Sequence, residues 1–193
     1  MAQEPSPKEI ARWDRWFAVE MNNRAWTIAE NPTRTSAEAE EMLHAAHAAA
    51  LHWSRVGTGR NKAAADMLLG QAHAVLGHGA LAMQYARRSH AYITAHESPD
   101  WELAFAHGVL ANAARAAGEN ALYATEYALG KSLGEAIADN EDKEIFENFF
   151  AQIPVPQDLT YNDFAALAAA CFKEIDQGRL PLQFCEIRRL APA

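Results

Sequence analysis

Apolar residues follow helical spacing along nearly the whole chain, and this feature restricts the fold more than any other. They recur every three or four residues, the period of an α-helix. Short polar stretches rich in turn residues, such as Asn31–Ser36 and His96–Asp100, interrupt the pattern. Alanine is abundant and β-branched residues are sparse, which favours helices over strands. The sequence therefore predicts an all-α protein.

Capping signals place the ends of eight predicted helices. Ser36 is predicted to cap the second helix, Gly77 and Gly118 to end the third and fifth, and Pro99 to lie in the first turn of the fifth. The other predicted bounds are about 7–30 for the first helix, 79–96 for the fourth, 119–138 for the sixth and 161–177 for the eighth. The acidic stretch at 139–144 opens the seventh.

The first helix is predicted to carry an apolar face that includes Ile10, Trp13, Phe17, Met21 and Ile28. Further apolar residues, Trp16, Val19 and Trp26, fall on other sides, so we expect this helix to contact more than one neighbour.

Charge is concentrated in one segment. Residues 119–163 carry 10 acidic and 2 basic side chains, which equals the net charge of −8 for the chain. We interpret this segment as a solvated helix face, with an acidic docking surface for a basic partner as the alternative. The basic stripe typical of nucleic-acid binding is missing, so no nucleic-acid partner is predicted.

No targeting signal is predicted. The first residues, MAQEPSPKEI, lack a charged region followed by an apolar one, so we expect no signal peptide, and no stretch of 18 apolar residues is free of charge. Cys171 and Cys185 match neither zinc nor redox spacing. We therefore expect a cytoplasmic protein without membrane segments, and the redox state of the two cysteines stays open.

Two segments of the sequence repeat at an offset of 41 residues. LLGQAHAVLGHGALAMQYAR aligns with VLANAARAAGENALYATEYA, which pairs Leu69 with Leu110, Gln71 with Asn112 and Gly77 with Gly118. Allowing one extra residue in the second copy also pairs two tyrosines and two alanines. Such self-similarity is typical of stacked helical repeats.

This pattern resembles the tetratricopeptide repeat. Leu69, Gly70, Gly77, Ala82 and Tyr85 match the positions that the family fills with leucine, glycine, a small turn residue, alanine and an aromatic residue. The resemblance is good over 57–138, and over 7–56 it rests on helix lengths only. It departs from the family in its longer period, in the first-helix aromatic position and in lacking the closing proline. In composition, the chain is also similar to small bacterial helical proteins of unknown function.

The resemblance implies a right-handed solenoid of about three helix pairs, a capping helix, and a C-terminal helix with a tail. The repeat domain would span 1–153, and a linker, helix and tail 154–193. In this family the first helix of each pair lines a concave groove that binds a protein or peptide segment. The groove residues implied here are Met67, Gln71, Ala74, Phe105, Gly108, Asn112 and Arg115.

The histidines support an alternative function. All eight lie between His44 and His107, and Glu40, His44 and His47 share one stripe of the second helix. Two imidazoles and a carboxylate one turn apart are suitable metal ligands, with His73 or His107 as a further ligand. The other interpretation is that these histidines form hydrogen bonds between helices.

We therefore predict a protein-binding scaffold without a cofactor, and a metal-binding protein or metalloenzyme is the alternative. No nucleophile motif of the Gly-x-Ser-x-Gly type is present, so the sequence favours binding over catalysis. The apolar residues of the C-terminal segment also suggest that it packs on the body or between two copies of the chain as a homodimer.

Overall fold

A computed structural model describes residues 4–156, together with residues 169, 172–173 and 175–179. The described part is all-helical and contains no strand. The seven helices are α1 (Pro7–Ala29), α2 (Ser36–Val56), α3 (Gly59–Val75), α4 (Gly79–Ala95), α5 (Asp100–Ala117), α6 (Asn120–Glu135) and α7 (Asn140–Phe150).

Capping boxes fix the starts of the first two helices. Ser6 and Glu9 satisfy each other's backbone N–H groups at the start of α1, and Thr35 and Glu38 do the same at the start of α2. The prediction that Ser36 is the N-cap was therefore wrong by one residue. Thr35 has a glutamate three positions later, whereas the equivalent position for Ser36 holds Ala39.

Glycines at two helix ends adopt the left-handed conformation. Gly77 directly follows the C-cap of α3 and Gly118 is the C-cap of α5, each with φ of +74°. This confirms the prediction that Gly77 and Gly118 end these two helices, since only glycine adopts this conformation without a steric penalty. Pro99 is the N-cap of α5 and so lies just before its first turn. The predicted sixth helix was too long, because α6 ends at Glu135.

Consecutive helices pack as three pairs. The most extensive contacts join α1 with α2, α3 with α4, and α5 with α6. Odd-numbered helices also contact one another in sequence, α1 with α3, α3 with α5, and α5 with α7. The odd-numbered helices therefore lie side by side.

Close approach between paired helices depends on small residues. A Cβ atom added at Gly70 of α3 would lie 3.0 Å from the backbone nitrogen of Ala86 in α4. One added at Gly130 of α6 would lie 3.1 Å from the backbone nitrogen of Gly108 in α5. Larger side chains at these positions would force the helices apart.

Two apolar clusters make up most of the core. The larger contains residues from α3 to α7 and includes the buried rings Phe105, Phe146 and Phe149. The second joins α1, α2 and α3, mainly through alanines with Met42 and Leu68. Burial of this apolar area is the main contribution to folding stability.

Only part of the predicted apolar face of α1 is buried. Ile28 is 3% exposed, whereas Ile10 and Trp13 are 47% and 59% exposed. In the N-terminal half of α1 the aromatic side chains contact one another, Trp13 tilted against Phe17 and Trp16 edge-on to it. The predicted apolar face is therefore buried only toward the C-terminal end of the helix.

The predicted C-terminal features lie mostly beyond the described residues. Cys171, Cys185 and the tail are outside them, as is most of the predicted eighth helix. Of the described positions there, Ile175 packs against the larger core cluster. Within the part of the chain that the structure describes, no helix has the length and apolarity needed to span a membrane.

Candidate functional site

A cleft of about 390 Å³ lies along the odd-numbered helices. Each of α1, α3, α5 and α7 contributes to it, with Glu30 at the C-terminal cap of α1. The lining residues are Asn22, Trp26, Glu30, Ala64, Met67, Trp101, Glu102, Phe105, Asp142 and Ile145. The volume falls in the range typical of small-ligand and side-chain binding pockets.

Aromatic rings form one continuous wall of the cleft. The ring of Phe105 lies edge-on to those of Trp26 and Trp101, with centroids 6.1 and 6.2 Å away. Phe149 stacks on Phe105 at 4.7 Å from behind. Each ring of the wall therefore contacts another aromatic ring.

Acidic side chains give the cleft a negative potential. Glu102 is 3% exposed and its carboxylate accepts from Nε of Arg60 at 3.0 Å. Glu30 and Asp142 form no ion pair with any described residue. Burial raises the pKa of Glu30 above its ordinary value. A cationic group in the cleft would therefore meet two carboxylates that the described chain leaves uncompensated.

The structure separates the predicted groove residues into two sets. Met67 and Phe105 line the cleft. Gln71 and Asn112 do not, since both are 3% exposed and Asn112 Nδ2 donates to Gln71 Oε1 at 3.0 Å. Arg115 Nε then donates to Asn112 Oδ1 at 3.1 Å. The buried amides of Gln71 and Asn112 thus bond to each other and not to a ligand.

Replacing Asn112 by alanine is expected to destabilise the fold. It removes both hydrogen bonds and leaves the buried Gln71 oxygen without its donor, at a cost of about 1–2 kcal/mol in the free energy of unfolding. Urea denaturation followed by circular dichroism measures this change. Asn148→Ala is the control, because the same change at an exposed position of α7 should alter the free energy of unfolding by less than about 0.5 kcal/mol. Equal stability of Asn112→Ala and wild type would contradict this account of the amide pair.

The predicted metal ligands of α2 are not gathered into a site. Glu40, His44 and His47 are all exposed, and they belong to no group of three metal-binding side chains among the described residues. The ring of His47 instead packs edge-on against those of His73 and Tyr85. Burial lowers the pKa of His73, and the nearby His47 and His78 add to this shift.

A different set of potential metal ligands is brought together by three helices. His90 of α4, His107 of α5 and Glu126 of α6 each offer one ligand atom within 4.8 Å of the others. His107 Nδ1 lies 2.6 Å from Glu126 Oε2, and His90 Nε2 lies 3.9 Å from the same oxygen. His107 and Glu126 are buried.

Sequence reasoning missed most of the cleft. Trp26, Trp101, Glu30 and Asp142 were not among the predicted binding residues, although they line it. The repeat assigned positions only within α3 and α5, whereas α1 with its cap residue Glu30 and α7 supply half of the ten lining residues. A search for aromatic and acidic residues one turn apart near the ends of odd-numbered helices could have found Trp26 with Glu30.

Comparison with protein-family models, curated proteins and solved structures finds no match to this chain.

Proposed function

We propose that this protein is a tetratricopeptide-like helical solenoid that binds a peptide segment of a partner protein in the cleft. The observation that carries the proposal is the origin of the lining: all its residues come from the odd-numbered helices or the cap of α1. In a stack of helix pairs, the first helices of the pairs together form one concave surface. The order of helix contacts described above supports the same arrangement.

The chemistry of the cleft favours a segment with both apolar and cationic side chains. Trp26, Trp101 and Ile145 offer apolar surface to an aliphatic or aromatic side chain. Glu30 and Asp142 attract a lysine or arginine, whose ammonium or guanidinium group also interacts favourably with the face of a tryptophan ring. The bound segment would therefore combine a basic residue with a large apolar one.

Selection from a displayed library of random peptides tests this proposal. We expect wild-type protein to enrich peptides in which lysine or arginine lies near an aromatic or aliphatic residue. Counter-selection against Ala64→Trp removes peptides that bind elsewhere, because the indole fills the cleft beside Met67. Peptides that bind the filled variant as well as the wild type would contradict the cleft as the binding site.

Neutralising the two uncompensated carboxylates is expected to weaken the selected peptides. Glu30→Gln combined with Asp142→Asn should raise Kd about tenfold at low salt, and the difference should shrink as salt increases. Fluorescence polarisation of a labelled peptide measures both effects. Glu40→Gln combined with Glu97→Gln is the matched control, since it changes net charge equally at exposed sites outside the cleft. Equal weakening by both pairs would mean that only net charge matters.

A further inference from the structure

We propose that His90, His107 and Glu126 form a binding site for one divalent transition-metal ion of the Zn²⁺ type. The site is separate from the cleft, because none of the three residues lines it. It is also separate from the α2 histidines considered from the sequence. It does not depend on the peptide-binding proposal.

Close packing of α5 on α6 creates the site. Gly108 of α5 and Gly130 of α6 let the two helices approach each other. His107 directly precedes Gly108, and Glu126 lies one turn before Gly130, so both side chains are close to this contact. The ring of His90 packs edge-on against that of His107, with centroids 4.6 Å apart. The three ligands therefore come from three helices whose packing fixes their separation.

The spacing of the ligand atoms suits a small cation. Ligand atoms around tetrahedral Zn²⁺ lie about 3.3 Å apart, given bonds of about 2.0–2.1 Å. The two separations from Glu126 Oε2, 2.6 Å to His107 Nδ1 and 3.9 Å to His90 Nε2, lie on either side of that value. All three ligand atoms lie within 4.8 Å of one another, so side-chain adjustment without movement of the helices would bring them to coordination distance.

The identity of the ligands selects the class of metal. Two imidazoles and one carboxylate favour Zn²⁺ and its neighbours over Mg²⁺ or Ca²⁺, which prefer oxygen-only sites. Two histidines and a glutamate also leave a fourth tetrahedral position for water.

The burial of His107 keeps bulk water away from the site. Its ring is 2% exposed, and Nδ1, the nitrogen that would ligate the ion, lies 2.6 Å from Glu126 Oε2. Beside it, the buried carboxylate of Glu126 supplies the negative charge that a cation requires.

Titration of full-length, chelator-treated protein without a polyhistidine tag tests the site, with Co²⁺ as the probe. We expect the visible absorption of tetrahedral Co²⁺ to saturate at one ion per chain and to disappear when Zn²⁺ is added. Glu126→Gln and His90→Ala should each weaken Co²⁺ binding about 100-fold or more. His44→Ala combined with His47→Ala is the control and should leave binding within about threefold.

Thermal unfolding by circular dichroism separates lost ligation from lost fold. Zn²⁺ should raise the Tm of the wild type and of the control but not of the two ligand variants. If Glu126→Gln does not fold, the test depends on His90→Ala. The wild-type His90 side chain is 23% exposed and lies at the edge of the site, so we expect this variant to fold. Failure of Co²⁺ to saturate with the wild type would overturn the proposal. Loss of binding in the α2 control but not in His90→Ala would also overturn it.

Discussion

Replacing Phe149 by alanine is expected to lower the free energy of unfolding by about 3–5 kcal/mol, the largest single effect that the structure predicts. Phe149 is 1% exposed and lies where α1, α5 and α7 meet. Its ring stacks on Phe105, and the ring of Trp26 lies edge-on to it at 6.1 Å. The alanine variant loses the burial of the ring and leaves a cavity behind the aromatic wall of the cleft. Urea denaturation measures the change.

Ile145→Ala is the matched control for Phe149→Ala. It lies on the same helix and also loses a large apolar side chain, but Ile145 is 49% exposed. Its effect should stay below about 1 kcal/mol. If both substitutions lowered the free energy of unfolding equally, Phe149 would not be the residue that anchors α7, and the account of the aromatic wall would be contradicted.

Replacing Gly134 by alanine is expected to destabilise the protein by about 2–3 kcal/mol, although alanine is the better helix former. A Cβ atom at this position of α6 would lie 1.9 Å from Cε1 of Phe146. Phe146 is 2% exposed and stacks on Phe150, so moving its ring disturbs the packing between α6 and α7. The variant must therefore shift the Phe146 ring or the helix that carries it.

Thermal and urea denaturation of Gly134→Ala test this clash. Glu135→Ala, at the next position of α6, is the control, because its ion pair with Lys131 is partly exposed and spans 3.7 Å. It should change the free energy of unfolding by less than about 0.5 kcal/mol. A gain in stability for Gly134→Ala, as helix propensity alone predicts, would contradict the observed packing of α6 on α7.

Helix positions were predictable because their signals are local. Gly118 ends α5 through its own backbone conformation, and Asp139 starts α7 with its side chain accepting from two backbone N–H groups. Such signals depend on a few neighbouring residues. The burial of α1 was not predictable in the same way, since Trp13 and Ile28 lie on one helical stripe but only Ile28 meets a neighbouring helix.

The binding surface was less predictable, because it depends on contacts between distant segments. The 41-residue offset pairs Gln71 with Asn112 in the sequence. It did not indicate that the side-chain amides of these two residues form a hydrogen bond with each other. The acidic side of the cleft combines Glu30 with Asp142, which are far apart in sequence and meet only through helix packing.

The difference between local and distant contacts also explains why the sequence pointed to the α2 histidines and not to His90 and His107. Glu40, His44 and His47 were singled out because they share a stripe on one helix, which is visible in the sequence. His90, His107 and Glu126 have no regular spacing and come from three helices. A sequence search for ligands one turn apart cannot find such a group.

Binding in the cleft is the central claim, and the indole N–H signals of the five tryptophans test it most directly. In ¹⁵N-labelled protein titrated with a selected basic-apolar peptide, we expect the Trp26 and Trp101 signals to shift, because both rings line the cleft. Trp13 and Trp16, on the exposed face of α1, should not shift. Shifts confined to Trp13 and Trp16 would place the peptide on α1 and contradict the claim.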